Sequence, residues 1–73
     1  KVWELIRESV PLSTRFGDAC ISEKHSNFFI NRGNATFRDM KCLIDFVAEN
    51  VFKKTGISIE KEIKILENWK KKF

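Results

Sequence analysis

The sequence has few of the residues from which metal and phosphate sites are usually built. It contains one histidine, two cysteines and three glycines, and Gly17, Gly33 and Gly56 lie too far apart to form a phosphate-cradling loop. Cys20 and Cys42 lack the spacing of a zinc site and are too few to staple a small secreted domain. We therefore expect no metal, no cofactor bound by this chain alone, and free thiols suited to a reducing cytosol.

The chain also lacks a long apolar run. No stretch approaches the roughly 20 residues of a membrane span, so we expect no membrane partner. An apolar fraction of 42%, with seven Phe and two Trp, is typical of a folded domain. A chain of 73 residues buries only about 60% of the surface that its unfolded form exposes. Such a chain is too small to hold two substrates, a cofactor and a complete catalytic apparatus.

The formal net charge of +4 comes mostly from three consecutive lysines, Lys70 to Lys72, and the remainder is nearly neutral. Nucleic-acid binding needs cations clustered on one face, whereas a basic terminus is more often a solvated end. The alternative function is nevertheless a small basic nucleic-acid-binding domain that stacks bases on Phe28 and Phe29. Against it, the run Phe28-Phe29-Ile30 is typical of a core strand, so we expect no nucleic-acid partner.

Apolar spacing predicts a helix over residues 2–9 that ends before Pro11, because the residue before a proline avoids the helical conformation. Residues 12–17 are predicted to be a loop. Residues 18–22 and 27–31 are predicted to be short strands, and a turn is expected over residues 31–34.

A long helix is predicted to begin after Thr36, which is a good N-cap, and to stop at Gly56, which can adopt the left-handed conformation. Asp39 suits the positive end of this helix. The apolar residues repeat every three or four positions, which predicts a buried stripe. Its expected members are Phe37, Met40, Leu43, Ile44, Val47, Val51 and Phe52.

Isoleucines alternate with polar residues from Ile57 to Ile65, which predicts a strand with Glu60, Glu62 and Lys64 on a wet face. The structure of the charged tail around Trp69 is left open. The order of elements predicts an α+β fold, in which a small mixed sheet of about three strands packs against two helices.

Cys42 and Phe46 fall on the helix face opposite the predicted stripe. Two interpretations remain open for them. Phe46 is either an isolated exposed aromatic residue or part of a docking face for segments outside this chain. On either interpretation, both residues should point away from the core.

Residue types alone identify few candidates for chemistry. His25 lies in a polar loop, where a lone histidine is usually a surface residue. The run from Ser22 to His25 includes serine, glutamate and histidine, but catalytic triads depend on spatial geometry and neighbours in sequence rarely satisfy it. From the pattern alone, Glu60 and Glu62 belong to a solvated face.

A family resemblance changes this interpretation. The segments that carry it are GDACISEKH at residues 17–25, NFFIN at 27–31, GNAT at 33–36, FKKTGI at 52–57 and IEKEIKI at 59–65. Together they resemble the C-terminal domain of UDP-N-acetylenolpyruvoylglucosamine reductases, in order and at the family's spacing. The resemblance covers residues 17 to about 66, and Leu5-Ile6 matches the family's first helix more weakly.

The resemblance implies that residues 1–73 are a single C-terminal substrate-binding domain of a larger three-domain cytoplasmic enzyme of cell-wall precursor synthesis. The preceding domains of the same polypeptide would hold FAD, which NADPH reduces. The reduced flavin then passes hydride to the β-carbon of UDP-N-acetylglucosamine enolpyruvate, and a serine protonates the α-carbon to give UDP-N-acetylmuramate. This fragment alone would be inactive.

The resemblance also implies two site residues. Glu62 matches the catalytic glutamate, which acts as an acid or stabilises the enolate, and His25 matches a polar contact to the nucleotide-sugar. Lys61 replaces a proline of the family pattern and Lys64 replaces an arginine. Neither Ser22 nor Ser26 matches the motif of the protonating serine, which would belong to a segment outside this chain. The loop after the first helix also departs from the family's glycine-containing pattern.

Overall fold

The structure is a computed structural model and describes residues 1–66. Within this range it confirms the α+β class, with a sheet of four strands in place of about three. The elements in chain order are helix α1 (Val2–Ser9), strands β1 (Arg15–Phe16), β2 (Ala19–Ile21) and β3 (Phe28–Asn31), helix α2 (Phe37–Thr55), a 3-10 turn (Glu60–Glu62) and strand β4 (Lys64–Leu66).

The sheet order is β1-β2-β3-β4. The first three strands are antiparallel neighbours, and α2 connects β3 to β4, which pair in parallel. The additional strand, β1, falls in the segment predicted to be a loop. Phe16 pairs with Ala19 across a two-residue turn in which Gly17 has a φ of 58°. Glycine adopts this conformation without steric cost, which allows so short a hairpin.

Helix α2 begins and ends as predicted. The Asp39 amide donates to Thr36 Oγ1 at 3.0 Å, and the Asp39 carboxylate accepts from the Thr36 amide at 3.0 Å, which completes a capping box. At the other end Gly56 is left-handed, with a φ of 77°. Its amide donates to the Phe52 carbonyl at 2.7 Å and closes the last turn.

The core lies where α2 packs on the sheet and on α1. Four residues of the predicted stripe are buried, whereas Phe37 and Phe52 are 85% and 56% exposed and were wrongly assigned to it. Phe37 is the first residue of the helix, and Phe52 lies about 120° around the axis from Met40. The buried stripe residues are Met40, Leu43, Val47 and Val51, and they pack with Ile6, Val10, Ala19, Ile21, Phe29 and Ile59.

The opposite face of α2 is exposed, as the helical spacing predicts. Cys42 is an exposed free thiol, and Phe46 is 38% exposed. Phe46 is not isolated, because its ring meets the Phe16 ring edge-on with the centroids 5.9 Å apart. The prediction that both residues avoid the core is confirmed. A docking partner for this face remains a prediction.

The predicted strand over residues 57–65 is wrong. Only Lys64–Leu66 forms a strand, and Glu60–Glu62 is a 3-10 turn. The reason lies in the spacing of Ile59 and Ile63, which are four residues apart. A turn brings both to the core, where Ile59 is 1% exposed and Ile63 is partly buried. Lys61, which interrupts the alternation of isoleucines, lies at the middle of this turn.

Residues 67–73, which include Trp69 and the three consecutive lysines, lie outside the described residues. Within residues 1–66, neither helix is long and apolar enough to cross a membrane.

Candidate functional site

The parallel pairing of β3 and β4 places the segments that precede them at the same end of the sheet. Phe28 pairs with Lys64 in this register, and the Lys64 amide donates to the Asn27 carbonyl at 2.8 Å. His25 lies three residues before Phe28, and Glu62 lies two residues before Lys64. The two residues identified from the sequence therefore lie in neighbouring segments at one end of the sheet.

Hydrogen bonds hold the main chain of His25 on both sides. Its amide donates to Ser22 Oγ at 3.3 Å, and its carbonyl accepts from the Phe28 amide at 2.9 Å. The Lys24 amide donates to the same Ser22 oxygen at 3.2 Å. The imidazole is exposed and packs against the Phe28 ring at a tilt of 46°, with the centroids 5.5 Å apart. The loop thus presents a solvent-exposed imidazole on a main chain that hydrogen bonds hold in place.

Glu62 lies at the end of the 3-10 turn, between two isoleucines that contact the core. Its amide donates to the carbonyl of the fully buried Ile59 at 2.8 Å. The following residue, Ile63, packs against the core from the other side. The Glu62 side chain itself is exposed. This turn therefore combines a fixed backbone with a carboxyl group that a ligand can reach.

Glu60 and Glu62 do not share a face, contrary to the expectation for a strand. In a 3-10 helix, residues two positions apart differ in direction by roughly 240°. Glu60 lines a groove between α2 and β4, together with Phe37, Met40 and Ile65. Glu62 is not among the lining residues of this groove. The structure therefore separates the two carboxyl groups into different surroundings.

Neither Gly17 nor Gly56 belongs to a phosphate-cradling loop. Gly17 forms a hairpin turn packed on Asp39, since a Cβ at Gly17 would lie 2.5 Å from Asp39 Oδ2. Gly56 ends α2, and the first turn of α2 carries the Asp39 carboxylate where a phosphate would need free amides. In residues 1–66, no group of three or more His, Cys, Asp or Glu side chains could hold a metal ion.

The alternative interpretations gain no support from the geometry of residues 1–66. Phe29 is fully buried in the core, and Phe28 is half-buried beside His25, so the two rings do not form an exposed stacking pair for bases. In a hydrolytic triad the serine hydroxyl contacts the imidazole of the histidine. The Ser22 hydroxyl accepts instead from two main-chain amides, so the geometry does not support a hydrolase.

Sequence reasoning missed the role of two serines in this loop. Ser22 accepts the two amides described above, and Ser26 Oγ donates to the Trp3 carbonyl of α1 at 2.9 Å. Both serines are buried, with exposures of 8% and 3%. For Ser22 the sequence did contain a signal, a serine followed by a short polar segment. A serine in such a segment often accepts hydrogen bonds from the amides two and three residues later.

The fold and the site define a small α+β domain that presents an exposed polar site at one end of its sheet. The sequence model of the family described as "UDP-N-acetylenolpyruvoylglucosamine reductase, C-terminal domain" matches residues 1–66, and the chain belongs to this family.

Similar proteins agree with this assignment. The chain is 64% identical over 67 residues to a UDP-N-acetylenolpyruvoylglucosamine reductase of Pelagibacter ubique, a match that covers 92% of this chain and 22% of that protein. Proteins of the same name from Rickettsia akari and Rickettsia bellii are 46% and 47% identical over 66 and 64 residues. These matches cover 90% and 88% of this chain and 22% and 21% of the relatives. The chain thus spans about a fifth of the length of these curated relatives. No solved structure matches it.

Proposed function

We propose that this chain is the substrate-binding domain of a three-domain oxidoreductase that uses FAD and NADPH. The enzyme would convert UDP-N-acetylglucosamine enolpyruvate to UDP-N-acetylmuramate in the cytoplasm, as a step of peptidoglycan precursor synthesis for cell-wall growth, cell shape and division. The family match and the names of the relatives support this proposal. Other parts of the same polypeptide would hold FAD, since residues 1–66 offer no cradle for its phosphates.

One observation carries the assignment of the site. The parallel pair β3–β4 brings the His25 loop and the Glu62 turn to the same end of the sheet. These segments are about 37 residues apart in the chain, and α2 separates them. A ligand that lies across this end can reach both segments. This is the arrangement that a substrate contact and a catalytic acid on one domain require.

Glu62 is proposed to meet the charge that develops on the substrate. Reduction of the enol ether creates an enolate-like species next to the substrate carboxylate. A protonated carboxyl group can donate a hydrogen bond or a proton to this charge. Lys61 and Lys64, which flank the position of Glu62, are both exposed. Their charges favour the approach of an anionic nucleotide-sugar to this end of the sheet.

His25 is proposed to bind the nucleotide-sugar. An imidazole N–H can donate to a phosphate or carbonyl oxygen, and the exposed ring of His25 is accessible for such a contact. Packing against Phe28 restricts the orientation of the ring. A restricted donor loses less conformational freedom on binding than a free side chain does.

Replacing His25 with alanine in the full-length enzyme tests this contact. A hydrogen bond to a charged group contributes roughly 1.5–3 kcal/mol, so the Kd for the enolpyruvyl sugar should rise about tenfold or more. The KM for NADPH should stay the same, because that step does not use the proposed contact. Titration calorimetry measures the first quantity and steady-state kinetics the second. An unchanged Kd for the sugar would remove His25 from the site.

A further inference from the structure

We infer that Ser22 is a positioning residue, whose hydroxyl fixes the conformation of the loop that presents His25 to the substrate. The inference rests on the proposed substrate contact of His25. It assigns a role to a side chain that is 8% exposed and that acts through the main chain of its neighbours.

Four main-chain and side-chain hydrogen bonds connect Ser22, Lys24, His25 and Phe28. Ser22 Oγ accepts from the Lys24 amide at 3.2 Å and from the His25 amide at 3.3 Å. The Ser22 amide donates to the Phe28 carbonyl at 2.9 Å, and the Phe28 amide donates to the His25 carbonyl at 2.9 Å. The loop is therefore closed at its base by Ser22 and Phe28, and the peptide groups of His25 are held from both directions.

The same loop is tied to the rest of the domain on both flanks. Ser26 Oγ donates to the Trp3 carbonyl at 2.9 Å, and the Asn27 carbonyl accepts from the Lys64 amide at 2.8 Å. These contacts fix the position of the loop relative to α1 and β4. Residues 23, 24 and 25 are all exposed, and the Ser22 hydroxyl and the Phe28 amide hold the main chain of residues 24 and 25 within this segment.

The chemistry of serine suits this function. A serine hydroxyl that accepts from the amides two and three residues later orders a turn without help from regular structure. Without it, two exposed amides would bond to water and the loop would sample more conformations. Binding would then have to order the loop, which weakens the affinity for the sugar and leaves groups remote from the loop unaffected.

The test is a double-mutant cycle in the full-length enzyme. Ser22→Ala should raise the Kd for UDP-N-acetylglucosamine enolpyruvate by a few-fold to about tenfold, because binding must then order the loop, and the KM for NADPH should stay the same. Ser22→Thr, which keeps the hydroxyl, should restore most of the affinity. In a His25→Ala background, Ser22→Ala should cause little further loss, because Ser22 acts through His25.

Matched controls separate positioning from general stability. Ser13→Ala changes an exposed serine in another loop and should leave the Kd unchanged. Amide hydrogen exchange at residues 24 and 25 should accelerate in Ser22→Ala and not in Ser13→Ala. Equal losses from Ser22→Ala in both backgrounds, or unchanged exchange at residues 24 and 25, would overturn the positioning role and leave the substrate contact of His25 intact. An unchanged Kd in His25→Ala alone would overturn both.

Discussion

Replacing Glu62 with glutamine in the full-length enzyme should slow reduction of the enolpyruvyl sugar by about 10²–10⁴-fold, the usual contribution of a general acid. NADPH-dependent reduction of the flavin should be nearly unchanged, since no enolate exists in that half-reaction. Glutamine keeps the size of the side chain and a hydrogen-bond donor, but it has no acidic proton to release. A loss in the second half-reaction alone therefore reports on acid chemistry. Stopped-flow absorbance follows each half-reaction separately.

Glu60→Gln is the matched control. Glu60 lies two residues earlier in the same 3-10 turn and is also exposed, but it lines the groove beside α2. Its substitution should leave both half-reactions close to wild type. Sensitivity of Glu60 and not of Glu62 would assign the chemistry to the other carboxyl group. Equal slowing of both half-reactions by Glu62→Gln would mean that Glu62 supports the flavin site or the fold.

The isolated 73-residue chain is expected to bind no flavin and to show no reductase activity. The physical reason is that Gly17 forms a hairpin turn, Gly56 ends α2, and the Asp39 carboxylate lies in the first turn of α2, where its charge disfavours a phosphate. The protonating serine implied by the family resemblance would also belong to a segment outside this chain. Compared with the full-length enzyme, the isolated chain should have no detectable reductase activity. Absorbance of the purified chain measures bound flavin, and circular dichroism confirms that the sample is folded.

A chain that purifies with one equivalent of FAD would contradict this prediction. A matched sample of the full-length enzyme, purified in the same way, supplies the positive control for flavin retention. Addition of FAD to the isolated chain, followed by gel filtration, distinguishes a cofactor lost in purification from one that the chain does not bind.

Much of the fold could be predicted because its signals are local. Thr36 as N-cap, Asp39 near the positive helix end and Gly56 as a left-handed stop predicted the bounds of α2 correctly. The exposed face with Cys42 and Phe46 followed from the same helical geometry. These features depend on neighbours within a few positions, which sequence patterns report well.

The errors came from elements whose signals are not local. Strand β1 has two residues, and it exists because β2 pairs with it across the Gly17 turn. The segment from Ile57 to Ile65 alternates like a strand, but Ile59 and Ile63 both reach the core through a 3-10 turn. In so short a run, the isoleucines fit both the two-residue period of a strand and the four-residue spacing of a helical turn. Packing against the core decides between the two structures.

The candidate site also combines features that local sequence could indicate with features that depend on the fold. Glu62 and His25 were identified from family resemblance, and their place at one end of the sheet depends on the parallel register of β3 and β4, which no local pattern reports. The hydrogen bonds of Ser22 are local, and the spacing of serine to the following amides could have indicated them. The bond from Ser26 to Trp3 joins residues 23 positions apart and required the fold.

The most direct test of the proposed site is amide hydrogen exchange of the full-length enzyme with and without UDP-N-acetylglucosamine enolpyruvate. The proposed site predicts slower exchange in the substrate complex at residues 22–28 and 59–64, with residues 2–9 of this domain serving as the internal reference. Both segments should respond together, because in the proposed site one ligand would lie across the end of the sheet that β3 and β4 share. Protection that appears elsewhere in the domain and leaves both segments unchanged would contradict the account.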